Sequence, residues 1–127
     1  GDRPIVVSYA SSPVAEVYFA ETPPESAPTA AVVAGGTCFR QIEFVGILRG
    51  TTVESEARQL VDFMLSDSFQ EDIPLRMFVY PASETAVLPE VFQQYSRASE
   101  TPVLMDPARI AANREEWIQA WTEAVLR

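Results

Sequence analysis

The sequence contains no histidine and a single cysteine among its 127 residues. Without histidine, neither a Ser-His-Asp nor a Cys-His nucleophilic site can be built within this chain, and a catalytic zinc site rich in histidine is excluded as well. Cys38 has no partner for an intrachain disulfide and belongs to no CxxC motif. Between Thr37 and Phe39, we expect it to be a small buried apolar residue.

Long apolar runs and positive charge are also scarce. No run approaches the roughly 20 apolar residues of a membrane span, and no signal peptide is visible. Nine basic against eighteen acidic residues give a formal charge of −9, which argues against nucleic acid and against anionic membrane surfaces as partners. The charge is compatible with a cationic ligand, although net charge often serves only solubility. Because a strand-like run begins so soon after Gly1, we expect the chain to be part of a longer protein.

The pattern of apolar residues predicts a single mixed α/β unit. Ile5 to Val7 form a β-branched run, and apolar and polar residues alternate through Ile42 and Phe44. The three main strands are predicted at Pro4–Ser8, Phe39–Leu48 and Arg76–Tyr80.

Helix signals lie between and after these segments. The prolines of Thr22–Thr29 predict an exposed connection. Thr51 and Glu54 form a capping box before an apolar-periodic run. Helices are predicted after Ser12 with Pro13 in the first turn, at 52–65, at Ser66–Asp72 with a stop at Ile73-Pro74, at Leu88–Tyr95 and after an Asp106 cap.

The last helix has an apolar stripe that contains both tryptophans of the sequence. The stripe consists of Ile110, Trp117, Ile118, Trp121, Ala124 and Val125. Aromatic side chains of this size bury large areas, so the stripe predicts a docking face for another structural layer.

The turn at Ser8–Ser12 is the first candidate site. Ligands of open α/β sheets collect outside the carboxyl ends of the strands, which is where Ser8, Tyr9, Ser11 and Ser12 follow the first predicted strand. The alternative is that Tyr9 is a half-buried core aromatic and that the serines only cap the helix.

Several segments, in this order, resemble the C-terminal part of bacterial periplasmic thiamine-binding proteins, the solute-binding components of ABC-type thiamine importers. The resemblance covers essentially all 127 residues, and its most specific pieces are VVSYASSP, FMLSDSFQEDIP and WIQAWTEAV. The full set is GDRPIVVSYASSP, QIEFVGIL, ARQLVDFMLSDSFQEDIP, MFVYP, LPEVF and NREEWIQAWTEAVLR.

The resemblance implies the C-terminal lobe of a two-lobed periplasmic-binding-protein fold of type II, incomplete in this chain, with ligand held in the cleft between the lobes and no catalysis. Residues 1–127 would form the lobe fragment, and 106–127 would be a terminal helix that docks partly on the absent lobe. Thiamine is held in such proteins largely by aromatic side chains, which here match Tyr9 and either Phe78 or Tyr80.

The chemistry of thiamine is compatible with these positions. Its thiazolium cation gains from an aromatic face, and the hydroxyls of Ser8 and Ser11 can donate to or accept from its polar edges. The alternative for Phe78 is plain core, and for Tyr80 a cover at the end of a strand. The Ser8–Ser12 turn and the MFVYP segment are expected to lie side by side at one rim of the sheet.

Other functions remain open at this stage. A receptor of the same fold for a polyamine or ferric iron is one alternative, and a non-binding interaction domain is another. The acidic pair Glu115-Glu116 does not suit acid–base catalysis, because neighbours on a helix do not face each other. The resemblance further implies a membrane permease as partner, no cofactor or resident metal, and a periplasmic or lipid-anchored extracellular location. The exposed stripe predicts association of two copies of the isolated chain.

Overall fold

The structure is a computed structural model that describes residues 3–22 and 24–126. Over these residues the chain forms five helices and no β-strand; one isolated parallel bridge joins Phe39 to Val103. The helices are α1 (Ser12–Tyr18), α2 (Glu54–Met64), α3 (Asp67–Met77), α4 (Glu90–Tyr95) and α5 (Pro107–Val125).

The start of α5 confirms the predicted cap. The carboxylate of Asp106 accepts a hydrogen bond from the backbone N–H of Ala108 at 3.0 Å, and Pro107 takes the first helical position. Proline costs nothing there, because that N–H has no partner within the helix. The helix α1 begins one residue earlier than expected, with Ser11 rather than Ser12 at the N-cap.

The capping box predicted for α2 is wrong. The helix begins at Glu54, with Val53 at the N-cap position, so Glu54 lies too early to reach back to a capping threonine. Thr51 instead accepts a hydrogen bond from the backbone N–H of Val53 at 3.3 Å. The helix otherwise falls within the predicted range of 52–65. The fourth helix begins at Glu90 rather than Leu88, with Pro89 at its N-cap.

The stop predicted at Ile73-Pro74 is also wrong, because α3 continues through Pro74 to Met77. Pro74 removes one intrahelical hydrogen bond, but its carbonyl still accepts from the N–H of Phe78 at 3.0 Å. Two residues of the predicted strand Arg76–Tyr80 therefore lie in the last turn of α3. Phe78 leaves the helix in the left-handed conformation, with φ 55° and ψ 39°.

The other two predicted strands, Pro4–Ser8 and Phe39–Leu48, do not form a sheet within the described residues. A strand needs a neighbour for its backbone N–H and C=O groups, and no described segment pairs with either range beyond the bridge at Phe39. Their apolar side chains stay in solvent, and Phe44 is 88% exposed. The expectation of an α/β unit is thus not met by the described residues, which are helical.

The Thr22–Thr29 connection contains no helix or strand in its described residues, and Pro23 lies outside them. Cys38 is half-buried rather than buried. Its thiol lies 3.5 Å from the carbonyl oxygen of Val32, and the backbone N–H of Val103 donates to the carbonyl of Cys38 at 2.6 Å.

The packed part of the chain lies where α1 meets α4, and α2 packs against α3. Val14 of α1 and Phe92 of α4 are fully buried. Around them lies an aromatic cluster in which neighbouring ring centroids are 5.2–6.4 Å apart. The cluster consists of Tyr18, Phe19, Phe78, Tyr80 and Phe92.

Helix α5 contains no buried residue, and among the described residues it has no helix packed along it comparable to the α1–α4 pair. Trp117 and Trp121 are 37% and 58% exposed on its apolar stripe. No helix in residues 3–22 and 24–126 combines the length and apolarity needed to cross a membrane. Arg127, the end of the predicted 106–127 helix, lies outside the described residues.

The surface area shows how little of the chain is enclosed. The chain exposes 10678 Å², whereas a folded monomer of 14.0 kDa exposes about 6,700 Å². The excess is about 4,000 Å² on that scaling, and neither α2 nor α5 contains a buried residue.

Candidate functional site

The Ser8–Ser12 turn presents one aromatic ring to solvent. The backbone N–H of Ser12 donates to the carbonyl of Tyr9 at 3.0 Å and closes the turn, and the hydroxyl oxygens of Ser8 and Ser12 lie 2.7 Å apart. Tyr9 is 71% exposed, so it is not the half-buried core aromatic of the alternative interpretation. Its ring face is available to a ligand.

Ser11 joins this turn to the MFVYP segment, 67 residues later in the chain. Its hydroxyl donates to the carbonyl oxygen of Phe78 at 2.5 Å, and the residue is 5% exposed. The two predicted ligand-binding segments are therefore in contact, although the described residues form no sheet whose rim they could share.

Phe78 and Tyr80 both contribute rings to the aromatic cluster. The ring centroid of Phe78 lies 5.8 Å from that of Tyr18, 5.4 Å from that of Phe19 and 6.4 Å from that of Phe92. The rings of Tyr80 and Phe92 are nearly perpendicular, with centroids 5.8 Å apart, and the hydroxyl oxygen of Tyr80 is buried without a hydrogen-bond partner among the described residues. A buried polar atom without a partner is uncommon and calls for a physical account.

A row of polar residues on α3 holds the loop that follows Tyr80. The amide oxygen of Gln70 accepts from the backbone N–H groups of Ala82 and Ser83 at 2.6 and 3.3 Å, and its amide nitrogen donates to the carbonyl of Met64 at 2.6 Å. Gln70 is 5% exposed. One buried amide thus joins the end of α2, the body of α3 and the loop after Tyr80.

Two carboxylates flank Gln70 in this role. Asp67 accepts from the hydroxyls of Thr85 and Ser83 at 2.7 and 2.8 Å, and Glu71 accepts from the backbone N–H of Val87 at 3.0 Å. The hydrogen bonds from Thr85 and Ser83 hold the pKa of Asp67 below its ordinary value, because they stabilise the charged form.

The sequence interpretation missed these three loop-holding residues, although a signal was present. Positions 67, 70 and 71 are spaced i, i+3, i+4, so they share one face of a helix. All three positions lie within the helix predicted at Ser66–Asp72.

Two surface grooves lie elsewhere. One of about 480 Å³ runs between segment 45–51 and α2, and the other follows the tryptophan stripe of α5. Neither contains any of the five predicted ligand residues. Within the described ranges, no group of three or more acidic or cysteine side chains is placed to hold a metal ion. Of the five predicted ligand residues, Tyr9 is 71% exposed, whereas Ser11 is 5% exposed and bonded to Phe78.

Comparison with known proteins adds the functional context. The thiamine-binding periplasmic proteins of Escherichia coli K12 and Salmonella typhimurium are each 28% identical to the chain over 127 residues, and that of Brucella suis biovar 1 is 29% identical over 128 residues. The chain is similar to thiamine-binding periplasmic proteins along its whole length. This confirms the resemblance predicted from the sequence segments.

The alignments cover 100% of this chain but only 37% of the length of each of these relatives. No protein-family model and no solved structure matches the chain. These relatives are named as thiamine-binding and as periplasmic proteins.

Proposed function

We propose that the chain is the C-terminal part of a two-lobed receptor that binds thiamine or a thiamine phosphate between its lobes. The observation that carries the proposal is the similarity of the whole chain to proteins named as thiamine-binding. The chain matches 37% of the length of those proteins. In this proposal the receptor is the solute-binding component of an ABC-type importer, delivers its ligand to a membrane permease and catalyses no reaction.

The excess surface supports a lobe that other parts of the receptor complete. Pro4–Ser8 and Phe39–Leu48 leave large apolar side chains exposed, and they would enter an α/β sheet of the type II periplasmic-binding-protein fold once neighbouring strands are present. The stripe of α5 would dock partly on the other lobe. Both steps would bury apolar side-chain area that the described residues leave in water. Burial of apolar area is the main favourable term in folding.

In this proposal, the exposed side of the Ser8–Ser12 turn forms part of one wall of the ligand-binding cleft, called the ligand wall below. Tyr9 would place its ring face against the thiazolium cation, a contact that contributes about 0.5–2 kcal/mol. The hydroxyl of Ser8 would hydrogen-bond a polar edge of the ligand, for about 1 kcal/mol net. Ser11, Phe78 and Tyr80 form the adjoining part of the wall.

Calorimetric titration of the complete receptor with thiamine, thiamine phosphate, spermidine and ferric iron tests the function. We expect thiamine or its phosphate to bind, and a response only to spermidine or ferric iron would assign a different receptor of the same fold. No response to any of them would favour a structural interaction domain.

The site is tested by Tyr9→Ala and Tyr9→Phe in the same receptor. Tyr9→Ala is expected to weaken thiamine binding tenfold or more, whereas Tyr9→Phe keeps the ring and should stay close to wild type. Equal affinities for all three proteins would show that Tyr9 is not in the site.

The isolated 127-residue chain is expected to bind thiamine no better than about millimolar. One ring contact and one hydrogen bond contribute about 1.5–3 kcal/mol, and association itself costs at least about 4 kcal/mol. Micromolar binding by the isolated chain would show that the pocket is complete within it.

A further inference from the structure

Ser11 lies between the two segments that form the proposed ligand wall, and its surroundings differ from those of Ser8 and Tyr9. Resting on the proposed function, we propose that Ser11 is a positioning residue, which holds the Phe78–Tyr80 segment in place against the turn that presents Tyr9 and does not itself contact the ligand.

The first observation is where the hydroxyl of Ser11 points. A serine hydroxyl has one proton to donate, and in Ser11 that proton goes to the carbonyl of Phe78. With 5% of the residue exposed, little of its surface is open to a ligand. Ser11 is itself fixed to α1, because its carbonyl accepts from the N–H groups of Val14 and Ala15 at 3.0 and 3.3 Å.

The second observation is the conformation of Phe78. It is the one non-glycine residue with positive φ among the described residues, a conformation that residues with a Cβ adopt only when their surroundings stabilise it. Its N–H donates to Pro74 of α3, and its carbonyl accepts from Ser11. The backbone of Phe78 is thus held on both sides, by α3 and by the Ser8–Ser12 turn.

These contacts make one unit of the wall. The turn that carries Tyr9 and the segment that carries Tyr80 are joined by the Ser11–Phe78 hydrogen bond and by ring contacts of Phe78 with Tyr18 and Phe19. A wall that is ordered before the ligand arrives avoids the entropic cost of ordering on binding. Removing the hydroxyl of Ser11 should therefore weaken binding although the ligand does not touch it.

The pair Ser11→Thr and Ser11→Val isolates the hydroxyl, since the two side chains have nearly the same shape and only threonine can donate. Ser11 makes no side-chain capping hydrogen bond to α1, so valine removes no such cap. Both variants are made in the complete receptor. Thiamine affinity is measured by calorimetry, and the conformation of residue 78 by NMR of phenylalanine labelled with ¹³C and ¹⁵N.

Threonine is expected to keep the wild-type affinity within about threefold and to keep the left-handed Cα and Cβ shifts of Phe78. Valine is expected to lose about tenfold in affinity and to shift Phe78 out of the left-handed region. A readout of overall stability alone would not show that local change. Ser12→Ala serves as a control that removes a neighbouring hydroxyl, which pairs with Ser8 and not with Phe78, and it should leave the Phe78 shifts in place.

Equal thiamine affinities for threonine and valine, with Phe78 unmoved, would overturn the positioning role. A ligand-dependent change in the signals of the Ser11 side chain that equals the change at Tyr9 would also overturn it, because Ser11 would then be a direct contact. If the wild-type receptor bound no thiamine, the proposed function would fail, and the NMR comparison would still decide whether Ser11 holds Phe78.

Discussion

The aromatic cluster gives the sharpest test of how this chain is held together. Phe92 is fully buried and meets the rings of Phe78 and Tyr80. Replacing a buried phenylalanine by alanine costs about 3–5 kcal/mol, from lost transfer energy and the cavity left behind. Native domains are stable by only about 5–15 kcal/mol, and this chain, with its excess surface, belongs at the low end of that range.

Phe92→Ala is therefore expected to abolish the near-ultraviolet circular dichroism of the 127-residue chain and to lower its denaturation midpoint below measurable range. Phe92→Leu keeps most of the apolar volume and should lose less. The matched control is Phe44→Ala, since Phe44 is exposed and carries the same side chain. If Phe44→Ala destabilised the isolated chain as much as Phe92→Ala, the core would not lie between α1 and α4.

Three further predictions follow from other contacts. Gln70→Met removes the three hydrogen bonds of the buried side-chain amide, so the backbone N–H of Ala82 should exchange its hydrogen at least tenfold faster. The control Gln59→Met, on the exposed side of α2, should leave that exchange rate unchanged. Equal exchange rates in both variants would contradict the role of Gln70. The pKa of Asp67 is lowered in the folded chain, so its carboxylate stabilises the fold above the unfolded-state pKa of about 4, and this stability is lost as the pH falls through the folded pKa. The carboxyl carbon of Asp67 should therefore titrate by NMR at a lower pH in wild type than in the Ser83→Ala, Thr85→Ala double variant. An unchanged midpoint would refute this. The isolated chain should associate through the α5 stripe and its extended segments, which light scattering would show as a mass that rises with concentration, and a monomer at high concentration would refute the association.

Local signals in the sequence predicted the helices better than the strands. Asp106 and Pro107 begin α5 as expected, because a cap and a proline act within a single turn. Pro74 was predicted to stop α3 but does not, since a proline late in a helix removes one hydrogen bond without preventing the next turn. The Thr51–Glu54 pattern matched a capping box, but the helix begins at Glu54 itself.

The candidate site was predicted from two sources, the position of the Ser8–Ser12 turn after a predicted strand and the resemblance, which added Phe78 and Tyr80. Of the predicted residues Ser8, Tyr9, Ser11, Phe78 and Tyr80, the structure brings Ser11 and Phe78 into contact. Their separate roles could not be predicted, because the burial of Ser11 and the left-handed backbone of Phe78 arise from tertiary contacts 67 residues apart. A list of hydroxyl and aromatic residues does not show which side chain faces the ligand and which one supports its neighbour.

The strands show the same limit from the opposite direction. A helix satisfies its own backbone hydrogen bonds, so α2 and α3 can form from residues within the chain. A strand depends on a partner, and β propensity expresses how well a side chain fits a paired, half-buried surface rather than an intrinsic backbone preference. Ile5 to Val7 and Phe44 have the side chains for such a surface, yet they are exposed and unpaired here. In the isolated chain, the exposure of these residues contradicts the strand prediction. In the proposed receptor, the same exposed side chains support a sheet that segments outside these 127 residues complete.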